Sequence, residues 1–316
     1  MTKLVIQIPC YNEAETLGVT LAALPRSIPG IDTVEVLIID DGSTDATVAV
    51  ARAHGVHHIV SLRRNCGLAR AFVAGLEASV RAGADVVVNT DADNQYNADD
   101  IPALVAPILA GTAEIVIGAR PIHAIPHFSP VKKALQRLGS WAVRAASKTS
   151  VEDAPSGFRA FSRMAAQQLN VFSDYTYTLE TIIQAGQKGM LVASVPIRVN
   201  GPTRPSRLIR STLGYLRRSV LTIIRIFITY RPLRFFAVLG GLIFLAGFLV
   251  GARFLYFFVV DRGDGHVQSL ILGSLLMSTG FVVFITGILA DLIAVNRKLL
   301  ERIAWRLTQI EEKLDR

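Results

Sequence analysis

Three short apolar runs in the first hundred residues each lead into acidic or amide side chains. The runs, with the polar residues that follow them, are Leu4–Ile8 with Asn12 and Glu13, Val36–Ile39 with Asp40 and Asp41, and Val86–Val88 with Asp91 and Asp93. Continuous runs rich in Val and Ile are typical of strands buried on both faces of a parallel sheet. Because ligands bind outside the carboxyl ends of such strands, we expect one pocket lined by these polar side chains.

Strand and helix patterns alternate along the first two hundred residues, which predicts an α/β fold. Helices are predicted at 44–54, 67–82, 101–109, 130–147 and 178–188. Besides the three apolar runs, strands are predicted at 59–62, 114–118 and 191–199. The pattern contains no internal repeat. An open parallel sheet is therefore expected, the arrangement that Rossmann-like domains share.

The segment Asp91-Ala92-Asp93 is the strongest candidate for chemistry. Two Asp side chains separated by one residue point the same way from an extended backbone, and they repel each other unless a cation lies between them. Oxygen ligands suit Mg²⁺ or Mn²⁺, which usually shares its coordination shell with substrate phosphates. A solvated acidic turn is the alternative for an isolated pair, and the two other polar strand ends favour the metal site.

The acidic turn after the second run has a local structural logic. Gly42 permits a tight turn, Ser43 or Thr44 can cap the next helix, and Asp45 is expected to serve as an acid at that helix terminus. Asp40 and Asp41 are adjacent acids that need hydrogen-bond donors, so we expect them to contact a ligand.

Six segments, in this order, resemble the family 2 glycosyltransferases with the GT-A nucleotide-sugar-binding fold. They are Pro9–Glu13, Asp40–Asp45, Arg64–Leu68, Asp91–Gln95, Gly118–Arg120 and Ser156–Arg159. Each segment alone is a weak signal, but six in the order of the family form a strong one. Within the family, the chain resembles the polyprenyl-phosphate sugar transferases, which include dolichol-phosphate mannose synthase.

The resemblance implies a UDP- or GDP-sugar donor and a divalent metal held by Asp91, Asp93 and Gln95. It places donor contacts at Pro9, Tyr11, Glu13, Asp40, Asp41, Arg64 and Ala92, and it makes Arg120 catalytic. Arg159 and Glu180 lie in matching segments, where either one is a site residue or a structural salt-bridge residue.

The implied acceptor is a polyprenyl phosphate, of the undecaprenyl or dolichyl type. Its phosphate is largely dianionic at neutral pH and is already a nucleophile, so no general base is needed. Cationic side chains must instead offset the repulsion between two phosphates. The candidates are Arg120, Lys132, Arg204 and Arg207, and a single displacement inverts the anomeric centre. The segment Gly201–Arg207 departs from the family's basic motif, so the resemblance does not specify the sugar.

Three other functions are compatible with parts of this pattern. A transferase that acts on a hydroxyl acceptor in cell-envelope glycan assembly needs a base, for which Asp153 is the candidate. A processive polysaccharide synthase needs more membrane spans and a Gln-x-x-Arg-Trp motif, which neither Trp141 nor Trp305 provides. A non-catalytic membrane scaffold does not need the acid pair.

Composition indicates a membrane protein with an anionic partner. Of the 316 residues 51% are hydrophobic, the mean hydropathy is +0.41 and the formal net charge is +8. Phosphates and anionic lipid fit this charge. Nucleic acid is not expected, because the basic residues do not alternate with aromatic ones. Two cysteines cannot form a disulfide framework and fit a reducing compartment, and the short apolar run after Met1 predicts no signal peptide.

The last third of the chain predicts a membrane hairpin. The domain map is a catalytic domain at 1–203, an amphipathic juxtamembrane region at 204–232, spans at 233–260 and 267–291, and a cytosolic helix at 296–316. Arg and Lys flank both spans on one side, which predicts that both termini and the catalytic domain face the cytosol, as for a bacterial inner-membrane protein. Two buried core helices of a soluble domain are the alternative.

Two features predict a homo-oligomer. Gly247 and Gly251 form a Gly-x-x-x-Gly face, which permits close helix approach between copies or, alternatively, within the hairpin. The tail places apolar residues at alternating spacings of three and four, at Leu300, Ile303, Leu307, Ile310 and Leu314.

Overall fold

The structure is a computed structural model that describes residues 1–121, 130–169, 171, 177–201, 221, 224–261 and 267–314. The chain divides into two compact units, Met1–Ser219 and Val220–Arg316. The first unit holds all of the strands described below, and the second holds the two longest helices.

A mixed seven-stranded sheet forms the centre of the first unit. Its strands are β1 (Lys3–Cys10), β2 (Thr33–Asp40), β3 (His58–Ser61), β4 (Val86–Asn89), β5 (Ile115–Ala119), β6 (Arg159–Ser162) and β7 (Val192–Pro196). Their spatial order is β3-β2-β1-β4-β6-β5-β7. β6 runs antiparallel to β4 and β5, and the other neighbours are parallel.

Seven helices accompany this sheet in the described part of the first unit. They are α1 (Ala14–Ala23), α2 (Thr47–Ala53), α3 (Leu68–Arg81), α4 (Ile101–Leu109), α5 (Pro130–Ser147), α6 (Arg163–Gln168) and α7 (Tyr177–Lys188). α3 shows how the sequence places them, since Phe72 and Leu76 recur at helical spacing and are both buried. Such a stripe buries one side of the helix, and each fully buried large side chain contributes about 1.5–3 kcal/mol.

The predicted α/β fold is confirmed, with three elements that the pattern did not reveal. The helices α1 and α6 and the strand β6 were not predicted. β6 has only four residues and pairs with strands that are distant in sequence, so its pairing rather than its periodicity defines it. α2 also begins at Thr47, later than the predicted residue 44.

The central strands are buried on both faces, as their continuous apolar sequence predicts. Leu4 and Ile6 on one face of β1 and Val5 on the other are fully buried, as is Val88 of β4. The parallel pairing of β1 with β2 and with β4 brings the three predicted polar strand ends to one edge of the sheet. This edge is where the candidate site forms.

The second unit contains two long helices, α8 (Pro232–Asp261) and α9 (Val267–Leu314). Two stretches, Pro232–Val260 and Val267–Arg297, are long and apolar enough to cross a membrane by length and composition. Only 11% and 17% of their most apolar windows are buried, which contrasts with the core helix of a soluble domain. The predicted tail helix is a continuation of α9, without a break through Leu314.

Glycines line the contact between α8 and α9. A Cβ added to Gly240 would lie 2.7 Å from the carbonyl oxygen of Gly280, and one added to Gly247 would lie 2.8 Å from that of Gly273. A Cβ on Gly273 would in turn lie 3.1 Å from the backbone nitrogen of Gly251. Gly247 of the predicted Gly-x-x-x-Gly face therefore packs within the hairpin, which is the second of the two roles considered for it, whereas a Cβ added to Gly251 would meet nothing within 4 Å.

Candidate active site

The candidate site lies at the sheet edge where β1, β2, β4 and β5 end and β6 begins. The segment after β4 carries Asp91 and Asp93, the residue after β5 is Arg120, and the loop before β6 carries Asp153 and Gly157. β6 is antiparallel, so its amino end joins the carboxyl ends of its neighbours. The fold thus brings together groups that lie more than sixty residues apart in sequence.

The acidic loop is anchored to the segment that follows β7. Asn200 donates from its backbone nitrogen to the Gln95 carbonyl at 2.8 Å and from Nδ2 to the Asn94 carbonyl at 2.9 Å. Asn94 has a φ of 54°, a left-handed conformation that asparagine tolerates better than most residues. The Gln95 backbone nitrogen donates to Asp93 Oδ1 at 3.2 Å. These contacts give the acidic loop a defined shape.

A buried polar network lies directly before the acidic loop in sequence and is centred on Asn89. Asn89 Nδ2 donates to the Gly157 carbonyl at 2.8 Å and to the Tyr177 hydroxyl at 3.0 Å, and Asn89 Oδ1 accepts from Gln7 Nε2 at 2.9 Å. The Tyr177 ring stacks on Phe72, with 3.9 Å between ring centroids. These buried hydrogen bonds tie the end of β4 to the loop before β6.

Gly157 brings its backbone against the Asp91 carboxylate. A Cβ at this position would lie 3.2 Å from Asp91 Oδ1, 3.4 Å from Asp91 Oδ2 and 3.0 Å from the Tyr177 hydroxyl. The Gly157 backbone nitrogen donates to the Tyr96 hydroxyl at 3.0 Å. A larger residue here would press on the carboxylate, so the Ser-Gly-Phe-Arg segment sets the wall of the pocket.

Asp91 carries a strongly perturbed carboxyl group. Burial, and next the negative charge of Asp93, raise its pKa from 3.8 to about 7, whereas the charge of Arg120 lowers it. Glu13 adds a smaller unfavourable effect. A perturbed acid in a cleft is typical of functional sites. The carboxyl groups of Asp91 and Asp93 therefore repel each other at the position where the sequence predicts a cation.

Arg120 and Asp153 form a bidentate ion pair. Arg120 Nε donates to Asp153 Oδ2 at 2.7 Å, Nη2 donates to Oδ1 at 3.0 Å, and the Arg120 backbone nitrogen donates to Oδ2 at 3.2 Å. Asp153 is 1% exposed and Arg120 is 17% exposed at the side chain. Burial alone would lower the pKa of Arg120, but Tyr96 and Asp153 raise it above its ordinary value. Asp153 thus orients a permanently charged guanidinium, and this geometry disfavours its predicted role as a free base.

Arg159 is a structural clamp beside the site. Its guanidinium is fully buried and donates at 2.7 Å to the carbonyls of Ser156, Thr178 and Ala154 and to Thr181 Oγ1. Burial lowers its pKa to about 10, which leaves it charged at neutral pH. These bonds hold the loop before β6 against α7. Of the two roles considered for Arg159, the structural one fits, although the partners are carbonyls rather than a carboxylate.

The two acids at the end of β2, Asp40 and Asp41, contact backbone groups within the protein. Asp41 Oδ1 accepts from the Cys66 nitrogen at 2.7 Å and Asp41 Oδ2 from the Gly67 nitrogen at 2.9 Å. Asp40 Oδ1 accepts from the Ser43 nitrogen at 2.9 Å. The donor-rich partner expected for these acids is the protein itself, and Asp41 shapes the loop that carries Arg64.

The loops after β1 and β2 are bound to each other. The Asn12 nitrogen donates to Ser43 Oγ at 3.0 Å, and the Thr44 nitrogen donates to Asn12 Oδ1 at 2.8 Å. Asp45 accepts from the nitrogens of Thr47 and Ala14, at 2.9 and 3.1 Å. The prediction that Asp45 is an acid at a helix terminus is confirmed, and it serves the starts of both α1 and α2.

The remaining predicted residues take different positions at this edge. Pro9 ends up within β1, Tyr11 is 41% exposed, and Arg64 is exposed on its loop. Ala92 is buried, and its carbonyl accepts from Thr20 Oγ1 at 2.9 Å. Glu13 accepts from Thr16 Oγ1 through Oε2 at 3.0 Å.

Three of the predicted acceptor residues lie outside the described parts of the structure. They are Arg204, Arg207 and the side chain of Lys132. The sequence did not predict Asn89, Tyr96 and Tyr177 as site residues. Asn89 bonds the Gly157 carbonyl and the Tyr177 hydroxyl, and the Tyr96 hydroxyl accepts from the Gly157 nitrogen. Their signal was weak, since a polar residue at a strand end and a lone tyrosine acquire meaning only from their partners.

No group of three or more His, Cys, Asp or Glu side chains suited to a metal occurs among the described residues. The oxygen donors at hand are the two Asp carboxylates and the Gln95 amide. Mg²⁺ and Mn²⁺ use few protein ligands and complete their shells with water and substrate phosphates, so this set suits a metal that binds together with a nucleotide.

Comparison with known proteins decides the family. Residues 5–169 match the family described as Glycosyl transferase family 2. The chain belongs to this family. An uncharacterised glycosyltransferase of Mycobacterium tuberculosis is 32% identical over 225 residues, which cover 69% of this chain and 94% of the relative. The protein whose structure is described here is therefore a glycosyltransferase, and its sheet is of the GT-A type.

Other family 2 relatives carry more specific names. An undecaprenyl-phosphate mannosyltransferase of Micrococcus luteus is 28% identical, over 60% of this chain and 80% of that protein. A dodecaprenyl-phosphate galacturonate synthase of Rhizobium johnstonii is 25% identical, over 92% of this chain and 88% of that protein. The second alignment extends over the hairpin as well as the catalytic unit.

Solved structures show the same fold at low identity. Glucosyl-3-phosphoglycerate synthase from Mycobacterium tuberculosis, crystallised with Mn²⁺, UDP and phosphoglyceric acid, matches with a TM-score of 0.55 and 21% identity. The match covers 72% of this chain and 78% of that one. It establishes the architecture of the sheet and carries no information about the acceptor of this family 2 enzyme.

Proposed function

We propose that this glycosyltransferase transfers a sugar from a UDP- or GDP-sugar to a polyprenyl phosphate, yielding a polyprenyl-phosphate sugar. The observation that carries the proposal is the pocket that joins Asp91 and Asp93 to the oriented Arg120. Relatives named for undecaprenyl, dodecaprenyl and polyprenol phosphates support the acceptor. Two helices suited to a membrane support access to a lipid substrate.

The residues present fit a divalent metal bound with the donor diphosphate. Asp91, Asp93 and Gln95 would hold it, since all three offer oxygen ligands in one loop. When bound, such an ion is a Lewis acid that stabilises the leaving nucleoside diphosphate. Structural neighbours crystallised with Mn²⁺ and UDP support this assignment.

The chain's own residues then position the two substrates. Donor contacts are assigned to the exposed edge formed by the loops that carry Tyr11, Glu13 and Arg64, whereas Asp41 acts through the Arg64 loop. The backbone of Pro9 and Ala92 shapes this edge, together with the Asp40 carboxylate, which accepts from the Ser43 nitrogen. Hydrogen bonds within the protein thus hold the loops to which the donor contacts are assigned.

Arg120 lowers the repulsion between acceptor and donor phosphates. A guanidinium has five N–H donors, so its pairing with Asp153 at two nitrogens leaves capacity for a phosphate. Lys132, Arg204 and Arg207 are assigned the rest of this task. The dianionic acceptor attacks the anomeric carbon directly, which inverts it, and no protein base takes part.

The enzyme is assigned to a bacterial inner membrane, where it spans twice and keeps its catalytic unit in the cytosol. The excess of Arg before the first span and of Arg and Lys after the second supports this orientation. The donor nucleotide sugar is then available on the same side as the pocket.

A transfer assay tests the proposal. Radiolabelled UDP- and GDP-sugars are incubated with the membrane-embedded enzyme, undecaprenyl or dolichyl phosphate, and Mg²⁺ or Mn²⁺, and the lipid phase is extracted with organic solvent. We expect label from one donor to enter the lipid phase, and chelation by EDTA to abolish the transfer.

A pair of matched variants tests whether the transfer of label to lipid depends on this pocket. Asp93→Asn removes one carboxylate of the pair and is expected to reduce transfer at least a hundredfold, whereas Asp99→Asn changes an exposed acid six residues further on and leaves it unchanged. Transfer to a soluble hydroxyl acceptor with no label in lipid would overturn the lipid acceptor. Full activity of Asp93→Asn would overturn the assignment of the site.

A further inference from the structure

The acidic loop pairs with the short segment Arg198–Asn200, which follows β7. Tyr96 and Val199 form an antiparallel bridge. The Asn97 nitrogen donates to the Arg198 carbonyl at 3.4 Å. These contacts run the two segments side by side in opposite directions, as neighbouring strands of an antiparallel sheet do. We call the segment the clasp, because it holds the loop that carries the two carboxylates predicted to bind a metal.

Asn200 fixes a turn between two predicted metal ligands, Asp93 and Gln95. Asn200 Nδ2 donates to the Asn94 carbonyl at 2.9 Å, and the Asn200 nitrogen donates to the Gln95 carbonyl at 2.8 Å. Asn94 has a φ of 54°, and a residue other than glycine keeps such a conformation only where its surroundings determine it. The amide of Asn200 therefore helps to set the spacing of the ligands on either side of Asn94.

Arg198 fixes the far end of the acidic loop, at the start of α4. Its backbone nitrogen donates to Asp100 Oδ2 at 2.7 Å, and its Nε and Nη2 donate to Asp100 Oδ1 at 2.9 and 2.7 Å. The side chain of Asp100 is 12% exposed, whereas that of Arg198 is 61% exposed. An ion pair whose cation is mostly exposed contributes little to global stability, so the main consequence of these three bonds is the local position of the loop.

The charge of the clasp predicts the opposite effect on a bound cation. A guanidinium repels a metal ion, so removing the charge of Arg198 would strengthen cation binding if charge alone mattered. Adding a carboxylate in place of the Asn200 amide would strengthen it as well. If the clasp instead holds the loop in its binding shape, both changes weaken binding. The sign of the effect therefore separates the two causes.

We propose that Asn200 and Arg198 are positioning residues, which hold the acidic loop in the shape that binds a divalent cation together with the donor diphosphate. The inference rests on the proposed function, because it needs the cation and the nucleotide that are assigned to this loop. Both side chains act through the loop and not on the substrates. Groups that orient metal ligands from outside the coordination shell change metal affinity about 10–100-fold when they are removed.

Calorimetric titration of UDP and of GDP into the full chain in lipid nanodiscs, with excess Mn²⁺, tests the inference. Wild type is expected to bind one of the two nucleotides. Asn200→Asp replaces the donor amide with an acceptor of the same shape, and Arg198→Met removes the guanidinium but keeps a long side chain. Each is expected to raise the Kd of that nucleotide about tenfold. Partial unfolding would instead lower the number of sites per chain and leave the Kd unchanged.

Arg81→Met is the matched control, because the Arg81 side chain is 70% exposed and pairs with Glu77 at 3.8 Å, outside the clasp. Its Kd is expected to equal that of wild type. A Kd at or below the wild-type value in either clasp variant would overturn the inference and leave the proposed function intact. A wild type that binds neither nucleotide would overturn the donor site of the proposed function, and the inference with it.

Discussion

Pairs of side chains, rather than single acids, define the chemistry of this pocket at the scale of residues. Asp153 looks like a general base when only its type is considered, but both of its oxygens contact Arg120. Breaking a buried ion pair leaves an uncompensated charge, which costs about 3–5 kcal/mol. The pair therefore serves best as an oriented cation for a phosphate.

A double-mutant cycle separates positioning from base catalysis. We expect Asp153→Asn and Arg120→Met each to lower kcat/KM about a hundredfold, since misplacement of a charged group can cost that much. If Asp153 acts through Arg120, the kcat/KM of the double variant equals that of the less active single variant. Losses that multiply would instead identify Asp153 as an independent base. The measurement is kcat/KM for transfer to lipid in all four proteins.

Asp41 is a second acid whose role depends on its partners, because it binds backbone nitrogens of the protein where a ligand contact was expected. Both of its carboxylate oxygens accept backbone N–H groups of the loop at Cys66 and Gly67. Asp41→Ala leaves two donors unpaired and is expected to destabilise the catalytic unit by about 3 kcal/mol. Trypsin should then cut faster after Arg63 and Arg64, which lie in the released loop.

The control for Asp41 is an acid whose ion pair lies on the surface. Glu77→Ala breaks a pair with Arg81 at 3.8 Å, in which both side chains are more than half exposed. Such a change costs about 0–1 kcal/mol and leaves cleavage of the loop unaltered. Equal cleavage of Asp41→Ala and wild type would show that the carboxylate does not hold the loop.

At the scale of elements, two adjacent glycines of α8 differ in how closely they approach α9. Gly240 and Gly241 are adjacent, but a Cβ on Gly240 would lie 2.7 Å from the Gly280 carbonyl oxygen, whereas one on Gly241 meets nothing within 4 Å. Helical periodicity predicts that only one of the two faces α9, and it does not reveal which one.

This difference gives a matched pair of variants. Gly240→Ala forces the helices apart and is expected to cost about 1–3 kcal/mol, as overpacking does. Gly241→Ala is expected to be neutral or slightly stabilising, since alanine is the better helix former. Thermal unfolding of the two variants in the same lipid nanodisc measures the difference. A lower melting temperature for Gly241→Ala than for Gly240→Ala would contradict the packing register.

At the scale of the whole molecule, the catalytic unit and the helical hairpin have different functions. The first carries the pocket that is proposed to bind a nucleotide sugar, and the second supplies two helices suited to a membrane. A hairpin returns the chain to the side from which it started, so the catalytic unit and the tail are expected on one side and the linker at 262–266 on the other.

Labelling with a membrane-impermeant maleimide tests this topology. In intact bacterial cells, Asp264→Cys is expected to react in the linker, whereas wild type, with Cys10 and Cys66 in the catalytic unit, reacts only after lysis. Reaction of wild type in intact cells would contradict a cytosolic catalytic unit. A serine at position 264 serves as the control for the substitution itself.

The periodicity of the sequence and the order of its motifs were enough to predict the α/β class, the family resemblance, the acid pair and the two apolar helices. These features are local, because strand burial, helix length and short motifs depend on neighbours in the chain. Tertiary structure alone decided that β6 inserts antiparallel between β4 and β5, that Arg120 meets Asp153, and that Asp41 and Arg159 bind backbone groups. The reason is physical, since the meaning of a buried polar group depends on the partner that pairs with it, and that partner is distant in sequence.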